Sequence, residues 1–186
     1  MKKLLIIDRD GTIIVEPPDE QIDSLEKLSF IDGVLANLSQ IDKDFDYELL
    51  MVTNQDGLGT DSFPEDNFWP AHNVMLDKLK ERGIIFKEVL IDRSFEKDNA
   101  PTRKPRTGLM KPYIEGDYDL KNSFVIGDRL TDIEFAKNLG CCGIWIKDGP
   151  SEEERQAIDD KELGSVLVLT TTSWEHIYRF LAQSNS

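Results

Sequence analysis

The chain has 186 residues, 39% hydrophobic and 31% charged, with a formal net charge of −14. That size and balance suit one soluble globular domain with a sizeable core and give no basic footprint for nucleic acid. No apolar run approaches the roughly 20 residues needed to cross a bilayer. Met1-Lys2-Lys3 is followed only by Leu4–Ile7 before Asp8, too short for a secretory signal, so a cytoplasmic protein without membrane contact is expected.

In chain order, Lys3–Ile7 reads as a short buried strand, an apolar run closed by Asp8-Arg9-Asp10-Gly11-Thr12. Residues 16–20, with Pro17-Pro18, read as loop. A helix starts near Asp32-Gly33 and runs to about Ile41, with Val34, Leu35, Leu38 and Ile41 on one face. Tyr47–Thr53 is a second buried strand, followed by the glycine-containing loop Asn54–Thr60. A helix over Glu65–Arg82 follows, with Pro70 tolerable only near its first turns and Gly83 as its stop. Phe86–Ile91 is a third strand. Residues 92–106 form a long polar connection, a length often tied to function. Thr107–Glu115 reads as a short helix and Ser123–Ile126 as a fourth strand leading into Gly127-Asp128-Arg129.

Thr131 and Glu134 have the spacing of a capping box that opens a helix to about Leu139, ended by Gly140. Cys142–Ile146 is a fifth strand, and the adjacent Cys141 and Cys142 read as small hydrophobes rather than a bridge or a zinc site. Ser151–Asp160 is a charged helix or loop. Val166–Leu169 is an edge strand, Trp174–Leu181 a closing helix, and Gln183–Ser186 a frayed end. Strands alternating with helices predict an α/β fold: a Rossmann-like, mostly parallel sheet flanked by helices, without a large cap domain.

In such sheets ligands bind beyond the carboxyl ends of the strands. Here those ends carry Asp8 and Asp10, then Thr53-Asn54, then Asp128 with Asp132 one helical turn on. The otherwise acidic chain concentrates cations in residues 93–111, including Arg103 and Lys104. Carboxylates gathered in one cleft repel one another unless a cation joins them, and an all-oxygen ligand set favours a hard ion such as Mg²⁺. Such an ion with a lysine attracts phosphate. One carboxylate can then serve as nucleophile and a second as proton donor and acceptor.

In order and strand context, DRDGT, TNQ, RKP and GDRLTD resemble the haloacid dehalogenase superfamily of phosphatases. The resemblance implies that Asp8 is nucleophile and metal ligand, and that Asp10 is general acid and base with its carbonyl on the metal. Thr53 and Lys104 would bind the phosphoryl group, and Asn54 the substrate side. Asp128 would complete the metal shell, with Asp132 holding a metal-bound water or orienting Lys104. Arg9 points away if strand alternation persists and receives no role.

Within that superfamily, DRDGTIIVEPP, VTNQDGLGTDSFP, FWPAHN and SFVIGDRLTDIEFAKNLG are similar to the phosphatase domain of bifunctional histidine-biosynthesis proteins. This implies hydrolysis of L-histidinol phosphate and a fused or separate imidazoleglycerol-phosphate dehydratase as partner. It also implies one phosphatase domain over residues 1–186, with residues 165–186 a final strand and helix or the start of a linker. Glu16, Gln55 and Asp56 are candidates for the substrate amine or imidazole, and Arg103 and Arg129 for phosphate or ion pairing. Phe68, Trp69 and His72 could touch substrate or anchor the chain, and Gly57–His72 could close as a lid.

Many relatives carry a cysteine- and histidine-bearing zinc loop before the lysine motif. DRSFEKDNAPTRKP has neither residue type, so no structural zinc is expected, and Pro101, Pro105 and salt bridges are expected to order the loop. A heptose bisphosphate is the near alternative substrate. A phospho-receiver domain is the alternative of another class, but it would place the paired acids and the phosphorylated aspartate on different strands.

Overall fold

Six parallel strands form one sheet in the computed structural model, which describes residues 1–185. They are β1 (Lys3–Ile7), β2 (Tyr47–Asn54), β3 (Glu88–Asp92), β4 (Phe124–Gly127), β5 (Cys142–Ile146) and β6 (Leu167–Thr171), in the order β3-β2-β1-β4-β5-β6. Buried on both faces, the central strands are nearly continuous apolar runs, as parallel sheets require. Leu5 and Ile7 point into one core with Leu49 and Met51, while Leu4 and Ile6 point into the other with Leu50, Val52 and Val125.

The first core is closed by α1 (Val34–Asp44), α2 (Glu65–Glu81) and α6 (Trp174–Ser184), through Val34, Leu38, Met75, Leu79, Trp174 and Ile177. The second is closed by α4 (Leu130–Leu139) through Phe135, Ala136 and Leu139, and by Met110 and Tyr113 near α3 (Lys111–Ile114). The remaining helix, α5 (Glu152–Asp160), is capped by the Ser151 hydroxyl, which accepts from Glu154 N at 3.2 Å.

The expected elements are present, with shifted edges. Helix α1 runs three residues past Ile41, α6 runs on to Ser184, and β6 is offset toward Thr171. Gln183 and Ser184 are therefore helical, Asn185 hydrogen-bonds the Tyr47 hydroxyl at 2.9 Å, and Ser186 lies outside the described residues. Trp174, Ile177 and Leu181 are core residues, so residues 174–181 belong to the fold. Pro70 lies in the second turn of α2.

The expected cap on Thr131 is displaced by two residues. Arg129 is the N-cap of α4, and the carboxylate of Asp132, at the third helical position, accepts from Arg129 N at 3.1 Å. The Thr131–Glu134 spacing mimics the box, but the shorter acid one turn past Arg129 fills the role. Among the described residues no helix is long and apolar enough to cross a membrane.

Candidate active site

Strand β1 pairs with both β2 and β4, at the point where the strand order reverses and a crevice opens at the carboxyl ends. Asp8 N extends the ladder to Ile126 O (2.9 Å) before the chain turns, with Gly11 N donating to Ile14 O at 2.8 Å. Gly11 has φ +68°, a left-handed conformation that favours glycine, and a Cβ there would lie 2.2 Å from Asp128 Oδ2. The same close approach recurs at Gly127, where a Cβ would fall 2.2 Å from the Asp132 carboxylate. These two glycines let two strand ends bring Asp8, Asp128 and Asp132 together. Each of the three acids offers an oxygen within 4.8 Å of the others.

Lys104 joins this group from the long loop. Its Nζ lies 2.9 Å from Asp8 Oδ1 and 2.7 Å from Asp132 Oδ1, and its side chain is 4% exposed. Burial works against the ammonium, but Asp132 and Asp8 outweigh it and hold its pKa above the ordinary lysine value. Asn54 fixes the backbone of the same residue, accepting from Lys104 N at 3.0 Å and donating to Lys104 O at 3.2 Å. The structure thus places Asn54 on the lysine loop.

That loop is ordered chiefly by Asp92, a buried carboxylate at the end of β3. It accepts from Ser94 N (2.9 Å), the Ser94 hydroxyl and the Thr102 hydroxyl (2.5 Å). Gln55 N donates to Asp92 O at 2.7 Å, and Arg103 binds Ser94 O (2.8 Å) and the Asp56 carboxylate. Of the expected devices, the Arg103–Asp56 pair is present, and Pro101 contributes its carbonyl to Gly108 N at 2.9 Å. The buried aspartate hub was not anticipated, because a polar residue closing a strand carries no mark of what will gather around it.

The acidic group fits a hard cation. Asp128 Oδ1 is buried without a hydrogen-bond partner. Burial and the neighbouring charges of Asp8, Asp132 and Glu16 push the Asp128 carboxyl up to about 8. Burial also pushes the Asp132 carboxyl up, with Lys104 opposing. An unsatisfied oxygen among like charges, beside carboxylates only, is a donor set suited to a divalent ion.

Asp10 lies deeper. Its Oδ2 accepts from Gln55 Nε2 at 2.6 Å and from Arg9 Nη1 at 3.1 Å, while its Oδ1 has no hydrogen bond. Burial raises the Asp10 pKa, with Arg9 opposing. Gln55 Nε2 also donates to Thr53 Oγ1 at 2.9 Å, so Gln55 faces the acids. Arg9 does not point away: β1 ends at Ile7, alternation lapses, and the fully buried guanidinium turns back onto Asp10 and over the Phe68 ring (4.7 Å).

The cleft measures about 670 Å³, and Glu16, Thr53, Asn54, Gln55, Arg103 and Asp132 line it with Asp8, Asp10 and Lys104. Asp128 sits against Gly11. At the rim Arg129 Nη2 grips both Glu16 oxygens (2.8 and 2.9 Å), so each is an ion-pair partner of the other. Of the segment Gly57–His72, residues 65–72 are helical, because α2 begins at Glu65. Phe68 and His72 are buried and stacked on each other at 4.9 Å, and Trp69 Nε1 donates to Glu65 at 2.6 Å. His176 Nδ1 shares a hydrogen bond with the Thr171 hydroxyl at 3.2 Å, at the start of α6.

A family model described as HAD-hydrolase-like matches residues 101–170. The histidine biosynthesis bifunctional protein HisB of Bacteroides fragilis is 53% identical over 182 residues, covering 97% of this chain and 47% of that protein. The protein of that name from Spirosoma linguale is 50% identical over 186 residues, covering 97% of this chain and 49% of its own length. The chain spans about half the length of the curated relatives it matches. Among solved structures, a heptose bisphosphate phosphatase from B. bronchiseptica, complexed with magnesium and phosphate, shares the fold. Its TM-score is 0.78 and its identity 22%, over 97% of this chain and 98% of that one. A HAD-superfamily hydrolase from Ehrlichia chaffeensis follows at TM-score 0.61 and 15% identity, covering 100% of both chains. With the four motifs gathered at one sheet edge, the chain shares the fold of these hydrolases and is similar to the haloacid dehalogenase-like family in residues 101–170.

Proposed function

We propose that the chain is a Mg²⁺-dependent phosphomonoesterase that hydrolyses L-histidinol phosphate to L-histidinol and phosphate. The carrying observation is the Asp8–Lys104–Asp132 chain beside Asp10, in a protein half-identical to bifunctional HisB. In this reading Asp8 attacks phosphorus as the bond to the substrate alcohol breaks, and Asp10 gives its proton to the departing oxygen. Lys104 and Thr53 bind the phosphoryl oxygens. Asp10, now a carboxylate, takes a proton from water, whose oxygen attacks phosphorus. The Asp8–phosphorus linkage breaks, phosphate leaves, and both acids return to their starting states.

Asp8, the Asp10 carbonyl and Asp128 would hold the cation, with Asp132 supporting it or Lys104. When bound, Mg²⁺ neutralises charge on the phosphoryl oxygens. An imidazoleglycerol-phosphate dehydratase, fused or separate, is the partner in the same proposal.

The test is phosphate release from a panel of phosphomonoesters, with and without Mg²⁺. L-histidinol phosphate should lead, and release should require the cation. A heptose bisphosphate clearly outrunning it would contradict the substrate, and no release from any ester would contradict the activity.

A further inference from the structure

Arg9 is an expensive residue to bury. It is fully enclosed, its guanidinium lies 4.7 Å over Phe68, and its Nε and Nη2 have no hydrogen-bond partner. A methionine could fill such a slot without desolvating a charge, and buried ion pairs often contribute no net stability. The guanidinium hydrogen-bonds Asp10, whose two oxygens both lie 3.1 Å from Nη1. A carboxylate can rotate broadly about its terminal torsion. Here two donors from different elements, Arg9 after β1 and Gln55 after β2, meet on Oδ2, while Oδ1 is buried 3.1 Å from Arg9 Nη1 without a hydrogen bond.

We infer that Arg9 is a positioning residue: with Gln55 it fixes the Asp10 carboxyl at the wall of the cleft in the orientation that proton transfer requires. The inference rests on the proposed phosphatase reading. In the first step the Asp10 carboxyl delivers its proton to the alcohol oxygen as the phosphorus–oxygen bond breaks. In the second it receives a proton from the attacking water. Arg9 acts through Asp10 and touches neither reactant.

Leaving-group dependence separates positioning from mere packing. An alkyl phosphate needs its departing oxygen protonated, whereas p-nitrophenol leaves readily as the anion. For Arg9→Met, kcat/KM on L-histidinol phosphate should fall about 10²-fold, the scale of a misplaced catalytic group. The loss on p-nitrophenyl phosphate should be at least about tenfold smaller, because general-acid assistance matters less there. Asp10→Asn should show the same pattern, more strongly.

Arg9→Lys keeps a cation in the slot and carries the test if the methionine variant does not fold. Its expected loss is about tenfold and confined to the alkyl ester. Equal losses on both esters, or no loss on the alkyl ester, would overturn the inference. A wild-type chain inactive on both esters contradicts the proposed function itself and takes this inference with it.

Discussion

Asp128 carries the cost of the site's arrangement at the residue scale: its buried, unpartnered oxygen among like charges raises its carboxyl to about 8. A divalent cation should relieve that repulsion and stabilise the fold. At a hundredfold excess over its dissociation constant the gain is about 2.7 kcal/mol, or several degrees in Tm. Thermal unfolding with and without Mg²⁺ should show the rise in the wild type and little of it in Asp128→Asn. An equal rise in both would remove Asp128 from the ligand set.

His72 makes a separate prediction. Its ring is stacked on Phe68, edge-on to Trp69 and close to the Arg9 charge, and burial with that charge lowers its pKa from 6.5 to about 4. The unfolded chain takes up a proton near pH 6.5, but the folded chain does so only near 4. The contribution is therefore complete above about pH 6.5 and is lost as pH falls toward 4, to a total of about 3 kcal/mol. Denaturant unfolding at a series of pH values should show this decline, and His72→Phe should flatten it. An unchanged slope in that variant would refute the assignment.

At the element scale, the loop after β3 is ordered by side chains that converge on one buried carboxylate. The Asp92 carboxylate accepts three hydrogen bonds from residues 94 and 102, and Asn54 ties down residue 104. Asp92→Ala should cost about 2 kcal/mol by orphaning those donors. Amide exchange should quicken across residues 94–104, and kcat should fall as Lys104 drifts from Asp8. Unchanged exchange there would show that the hub does not hold the loop. None of this was legible in the sequence, because residues 92–106 have no periodicity and their order comes from side chains converging in space. The misplaced cap on α4 has a related cause. Asp132 serves at once as helix cap and as partner of Lys104, and a capping rule sees only local spacing.

At the scale of the whole molecule, the alternation of apolar runs with helical segments was enough to read the sheet and both its helical layers. Three of the four motifs were legible because each closes a buried strand, where polar residues have no local reason to gather, whereas Lys104 comes from the long loop. Parallel strands then carry those ends to one edge. Arg9 was missed because the alternation that hides it ends with β1 at Ile7. Gly127 was missed because its value lies in the space it leaves for Asp132.

The central claim is that Asp8 attacks phosphorus, and trapping the acylphosphate tests it most directly. Enzyme mixed with L-histidinol phosphate and Mg²⁺ is quenched in acid during the first turnovers, digested, and the peptide masses are read. Wild-type protein should carry a phosphoryl group on Asp8. Asp8→Asn should carry none and should turn over at least roughly 10³-fold more slowly, with its fold intact. Turnover with no labelled enzyme, label on another residue, or substantial activity in Asp8→Asn would contradict the account.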